Sequence, residues 1–248
     1  MLKKFYAFVS LSVLLSGSSL QAAESVAVPA ELDGYGLYYI EREPGIDEYE
    51  VKITVSDRYV RVDEGTGDGG YIIYDDEEQV IYSVSHHDRS VLVIRANPFS
   101  DEKSPVKAVV EYLELADAPK VDGRQIYNYR VHPVKSEDET CTELQLVEGL
   151  LPEVRTILKR FQLVISGQQV SLTDNVIDEM RDACYYIDQI YNAGDYYDKG
   201  LPIQEWRSNE RSRILTSYKK EKLKQRLFDI PQDYRQFSID KDSRTPLG

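Results

Sequence analysis

Side chains able to do chemistry are spread thinly along this chain. It has three histidines: His86 and His87 side by side, next to Asp88, and His132 far away. A zinc site needs three or four converging ligands, and neighbours in an extended chain point to opposite faces. The His pair therefore reads as an exposed turn, and no metal site is expected. Asp75-Asp76-Glu77-Glu78 is a compact acidic loop, but it lacks the central glycine and terminal glutamate of a calcium loop. It reads as a solvated hairpin tip. The glycine-rich run Gly65 to Gly70 is followed by neither Lys-Ser/Thr nor a helical pattern, so it fails the context of a phosphate-binding loop and reads as a flexible turn. No serine sits in a G-x-S-x-G context. Among 43 acidic residues, sequence alone cannot choose two that face each other across a glycosidic bond. No catalytic residue and no cofactor is expected, so the chain reads as a non-catalytic protein.

The first twenty-three residues supply an address. Lys3 and Lys4 precede an apolar run from Phe5 to Leu15, then Ser16-Gly17-Ser18-Ser19 and Leu20-Gln21-Ala22-Ala23. This is the order of a secretory signal peptide, with an apolar core short of the roughly 20 residues that span a bilayer. Cleavage is expected after Ala22 or Ala23, giving a periplasmic protein with no transmembrane segment after signal removal. The two lysines leave with the leader, taking the net charge from −13 to −15. Such a surface repels polyanions, so no nucleic acid is expected as a partner. In an oxidising compartment the two cysteines, Cys141 and Cys184, read as one structural disulfide rather than a redox pair.

The elements that would position these residues follow from periodicity. Tyr49, Val51, Ile53 and Val55 alternate with polar residues, as a half-buried strand requires. Arg58–Asp63 carries a second alternation, Tyr71–Tyr74, Val80–Val84 and Val91–Ile94 are short apolar runs, and Val106–Leu115 and Ile126–Val131 extend the meander. After Cys141 the period changes. Leu151, Val154, Ile157, Leu158 and Phe161 have helical spacing, with Pro152 in the first turn and Gly167 ending the element. A second helix is expected from Thr173 or Asp174 to Tyr191, carrying Val176, Ile177, Met180, Ala183, Cys184, Ile187 and Ile190 on one stripe. Strands return at Leu201–Trp206, Arg213–Tyr218 and Leu227–Ile230. The domain plan is a signal peptide over 1–23, one domain over 24–240 and a disordered tail over 241–248.

The strand–helix–strand order, together with Arg213-Ile214-Leu215-Thr216-Ser217-Tyr218 and Leu227-Phe228-Asp229-Ile230-Pro231-Gln232-Asp233-Tyr234, resembles the closing strands of a secreted bacterial family of unknown function related to the periplasmic lipoprotein carriers (LolA-like). Val60-Arg61-Val62-Asp63, Tyr71 to Asp75 and Val80 to Val84 are similar to its opening meander. The resemblance implies an α+β, mainly antiparallel fold. Its sheet would be a strongly curved, unclosed β-barrel with two helices packed on the concave face. It also implies a hydrophobic, lipid-like ligand or a lipoprotein acyl chain held between sheet and helices.

Tyrosine fits that expectation, with 19 residues against six Phe and one Trp. A tyrosine ring packs while its hydroxyl reaches water, although ordinary half-buried strands use it equally well. Candidate groove residues are Tyr39, Tyr82, Met180, Ile187 and Trp206. The alternative is a cell-envelope interaction protein whose groove is filled, with a protein partner and no small-molecule ligand. Charge is uneven: residues 41–78 hold 13 acidic and 4 basic side chains, and residues 205–226 hold 8 basic and 3 acidic. The two stretches complement one another if the last strands lie beside the first.

Overall fold

The computed structural model describes residues 31–65, 69–97, 104–136, 138–173, 176–177 and 181–239. The leader, the 241–248 tail, Met180 and the Asp174 cap lie outside the described residues. Strands are β1 (Glu31–Arg42), β2 (Tyr49–Ser56), β3 (Tyr59–Glu64), β4 (Tyr71–Asp75), β5 (Val80–Ser85), β6 (Ser90–Arg95), β7 (Ala108–Glu114), β8 (Ile126–Pro133), β9 (Thr142–Val147), β10 (Leu201–Arg207), β11 (Ser212–Lys224) and β12 (Arg235–Phe237). They form one twelve-stranded sheet in the order β12-β6-β5-β4-β3-β2-β1-β11-β10-β9-β8-β7. Every pairing is antiparallel except β12 on β6.

Alternation decides what each strand buries. Leu37 and Tyr39 of β1, with Val51, Ile53 and Val55 of β2 and Val60 of β3, face the main core. Leu144 and Leu146 of β9 face the same core from the other half of the sheet. Across that face lies helix α1 (Pro152–Leu172), which buries Val154, Ile157, Leu158 and Val164. Pro152 occupies its first turn, where the missing N–H has no intrahelical partner to lose. Each fully buried aliphatic side chain stabilises by about 1.5–3 kcal/mol. Gly167 does not end α1. It lies inside the helix because a methyl there would come within 2.9 Å of the Asn97 carbonyl oxygen. The glycine lets helix and loop approach.

The opposite face is covered by the chain after β11. The expected strand at Leu227–Ile230 is instead a helical turn, Gln225–Phe228. From it Phe228 stacks on Tyr59, with ring centroids 4.8 Å apart. Arg61 donates to the Leu227 carbonyl at 2.6 Å, and Tyr71 donates to the Asp229 carbonyl at 3.1 Å. The strap ends as β12, whose three residues lie parallel to β6.

These observations correct the expected fold class. The structure is dominated by a single open sheet of twelve strands, and the two helices do not pack on it as a pair. The anticipated second helix is reduced to α2 (Ala183–Tyr185), which continues as a single π-helical stretch, Tyr186–Tyr191. The physical reason is local. The Asp182 side chain accepts from the Tyr185 amide at 2.7 Å, which fixes the helix start there. Upstream, Ile177 is 61 % exposed, so the buried face of the stripe is carried by Cys184, Ile187 and Ile190 and does not include Ile177.

The Cys141–Cys184 disulfide ties α2 to the segment leading into β9, with Cα atoms 4.9 Å apart. It closes a loop of 43 residues' separation. Replacing both cysteines by serine is expected to cost about 3–4 kcal/mol, read as a lowered urea midpoint with a somewhat steeper slope, because the uncrosslinked unfolded chain exposes more surface. Gly34 offers a second check, because a Cβ there would run into the Val55 carbonyl oxygen and the Leu223 side chain. Gly34→Ala is expected to destabilise by about 1–3 kcal/mol in the same measurement.

Candidate functional site

Charged residues at alternate positions, normally solvated, turn inward where β10 meets β11. Glu205 and Arg207 flank Trp206, so they share one face while the indole takes the other. Register pairs Glu205 with Arg213 and Trp206 with Ser212 across the hairpin. The β1–β11 ladder then sets Glu41 opposite Arg213 and Arg42 opposite Ser212. The acidic stretch and the basic stretch therefore meet within the fold.

Glu205 is 6 % exposed and lies between two guanidinium groups. Arg213 Nε donates to its Oε1 at 3.1 Å, and Arg207 Nη2 donates to its Oε2 at 3.1 Å. Arg207 also donates to Thr142 Oγ1 at 2.7 Å, while the Thr142 hydroxyl donates to Asp188. Asp188 stands 4.0 Å from Arg207, and Glu41 stands 3.8 Å from Arg213. At the mouth, Arg211 pairs with Glu43, which also accepts from Tyr49 at 2.7 Å. Aromatic rings close the inner wall, with Arg213 over Tyr39 at 4.8 Å and Arg207 over Tyr196 at 5.5 Å.

Burial and charge act oppositely on these carboxyls. Burial would raise Glu205, but Arg213 and Arg207 outweigh it and hold the group below its ordinary range. Asp188 and Glu41 are raised, because burial outweighs the arginines that face them. Burial also raises the hydroxyls of Tyr39, Tyr196 and Tyr197. The hollow around this network measures about 220 Å³ and is lined by Glu41, Gln162, Asp188, Tyr196, Glu205 and Arg213 among others. An outer cleft of about 650 Å³ shares Arg42, Glu43, Arg207, Arg211 and Ser212 with it, and adds Trp206, Ile46, Asp47 and Glu210. Chemically, the arrangement presents fixed donors and acceptors; the Glu205 carboxylate is engaged on both oxygens.

The described groove candidates, Tyr39, Tyr82, Ile187 and Trp206, do not converge. Tyr39 and Ile187 are core residues. Tyr82 packs with Val84 and Val93 beneath the C-terminal strap, in a separate cluster that includes Tyr234. Trp206 is 40 % exposed at the outer cleft. His86 bonds Tyr234 at 2.9 Å, whereas His132 is buried on β8, on the other half of the sheet. No metal-ligating group of three or more occurs among the described residues. The acidic loop is not wholly solvated either: Asp75 is buried against Arg58 at 2.6 Å, and Asp76 pairs with Arg160 of α1 at 2.6 Å. Sequence reasoning missed the Glu205–Arg207–Arg213 network. The available signal was two period-2 charge pairs, 205/207 and 211/213, on either side of a short turn.

No family model and no curated protein matches this chain. Among solved structures it is similar to an uncharacterised conserved protein from Thermus thermophilus. That likeness has 10% identity and a TM-score of 0.43, over 83% of this chain and 90% of the other. It is also similar to PNGF-II, at 11% identity and a TM-score of 0.40, over 84% of this chain but only 31% of that one. Likeness of this size assigns neither a fold family nor an activity.

The depressed Glu205 carboxyl carries a sign. Its stabilisation is present above the unfolded glutamate value of about 4.3 and is lost as the pH falls through its lower folded value. Glu205→Gln is therefore expected to cost about 3–5 kcal/mol at pH 7, by leaving two half-buried guanidinium groups underpaired. The difference from the parent should shrink in acid, in urea titrations run from pH 7 to pH 3.

Proposed function

We propose that this chain is an exported, non-catalytic interaction protein of the cell envelope that recognises its partner at its surface. One observation carries this reading: the space between sheet and helix, where a carried acyl chain would lie, is filled by side chains. Leu37, Leu144, Leu146 and Val154 are fully buried, and Ile157 is 2 % exposed. A depression of about 440 Å³ beside α1 has Tyr35, Val154 and Ile157 in its wall, but Asp33, Glu153, Arg160 and Lys220 surround it. A long apolar ligand would have to desolvate those charges. The polar network at β10–β11 supports a non-catalytic role too, because Glu205 is held ionised and doubly paired, a state suited to fixing arginines rather than passing a proton. The disulfide fits an oxidising compartment, and no helix among the described residues is long and apolar enough to cross a membrane.

The test is native mass spectrometry of the protein purified from the periplasm, joined to displacement of a fluorescent fatty acid. The expected result is a mass equal to the chain with its disulfide and no displaceable probe. A stoichiometric acyl chain in the spectrum would overturn the reading.

A further inference from the structure

The outer cleft, which shares Arg207, Arg211 and Glu43 with the buried network, joins three further features. The first is Trp206, the one tryptophan of the chain, which stands 40 % exposed in the cleft wall instead of in the core. A large amphipathic ring left at a polar surface offers an apolar face to a ligand that is otherwise wet. Second, the charges around it balance: Arg42, Arg207 and Arg211 stand against Glu43, Asp47 and Glu210. A chain with a net charge of −13 thus presents here a patch without net charge, which favours neither a polyanion nor a polycation. Third, part of this polar set is unused. Arg211 and Glu43 bind one another, but the side chains of Arg42, Asp47 and Glu210 have no hydrogen-bond or ion-pair partner among the described residues. The cleft therefore holds one guanidinium fork and two carboxylates free to donate and accept.

We propose that this cleft binds a neutral saccharide chain. A sugar ring has one face of C–H groups that can lie on the indole of Trp206. Its rim of hydroxyls both donates and accepts, as Arg42, Asp47 and Glu210 require. The cleft, about 650 Å³, has room for a small oligosaccharide. Its walls are set by the rigid β10–β11 hairpin, braced behind by Arg207 on Glu205 and in front by Arg211 on Glu43. The β1–β2 turn supplies Ile46, 58 % exposed, as a second apolar contact. The inference names the partner class for the surface interaction proposed above and rests on that reading. An acyl chain found by mass spectrometry would refute the filled groove without touching the cleft, and a failure of sugar binding would refute the cleft alone.

Because Trp206 is the single tryptophan, its emission reports occupancy of this cleft directly. The mature chain would be titrated with maltotriose, cellotriose and chitotriose. The expected result is a saturable change in tryptophan emission with at least one of them, at a Kd between about 1 mM and 1 μM. By calorimetry, Trp206→Ala should weaken that sugar at least about tenfold. Asp47→Asn, an exposed position, should weaken it about threefold with the thermal midpoint unchanged. Absence of a saturable response from all three sugars at about 10 mM overturns the proposal. So does sugar binding that both substitutions leave intact, which would place the ligand elsewhere. Saturable binding of the neutral tripeptide Ala-Asn-Ala with no sugar response would overturn the saccharide class.

Discussion

The antiparallel pairing of β1 with β11 is the constraint on which the rest of the molecule depends. It runs from Glu31 opposite Lys224 to Arg42 opposite Ser212, with one irregularity between Tyr38 and Tyr39. This ladder joins a meander made early in the chain to strands made after the helix. Without it the sheet divides into two pieces, each with an exposed edge. It also brings the acidic segment around residues 41–43 against the basic strand, where Glu43 meets Arg211 and Glu41 meets Arg213, while Lys52 meets Glu221 with the signs exchanged. Gly34 lies in this ladder because Leu223 and the Val55 carbonyl leave no volume for a side chain.

Beyond the ladder, each face of the sheet is closed by a different device. On one side α1 and the disulfide-tethered segment after it supply apolar bulk. On the other, the strap from Gln225 to Phe237 crosses β3 to β6 and seals the small clusters around Val84, Ile73 and Phe228. The charged network sits where neither cover reaches fully. Burying Glu205 there costs desolvation that its two arginines offset, and the fixed geometry of that trio holds the β10–β11 hairpin at the edge of the hollow.

Much of the meander was legible. Alternation in Tyr49–Val55, the breaks at Ser56-Asp57 and Asp75–Glu78, and Pro152 before the helical spacing all mark elements close to where they lie. Three things were not. Leu227–Ile230 has strand-like composition but turns helically, because Phe228 is drawn onto Tyr59 from a distant strand. The 176–191 stripe has helical spacing, but a helix start at Asp182 and an exposed Ile177 cut it short. β12 is three residues long, below any useful period, and exists only because β6 has an open edge to accept it. The candidate site was illegible for a similar reason. Glu205, Arg207 and Arg213 look like ordinary alternating surface charges until Asp188, Thr142 and Glu41 arrive from far along the chain.

Local features were therefore dictated by the order of residues alone. That order set which segments alternate, where turns interrupt them, where α1 starts, and that two cysteines can pair only with each other. Folding in three dimensions was needed to choose which strand lies beside which, which face of each strand is the inside, and which charges lose their water. Period-2 alternation states that a residue has two environments but not what occupies them. That identity is set by partners as much as 160 or more residues away, as Arg211 is from Glu43 and Lys52 from Glu221. Only the folded sheet brings them within hydrogen-bonding distance.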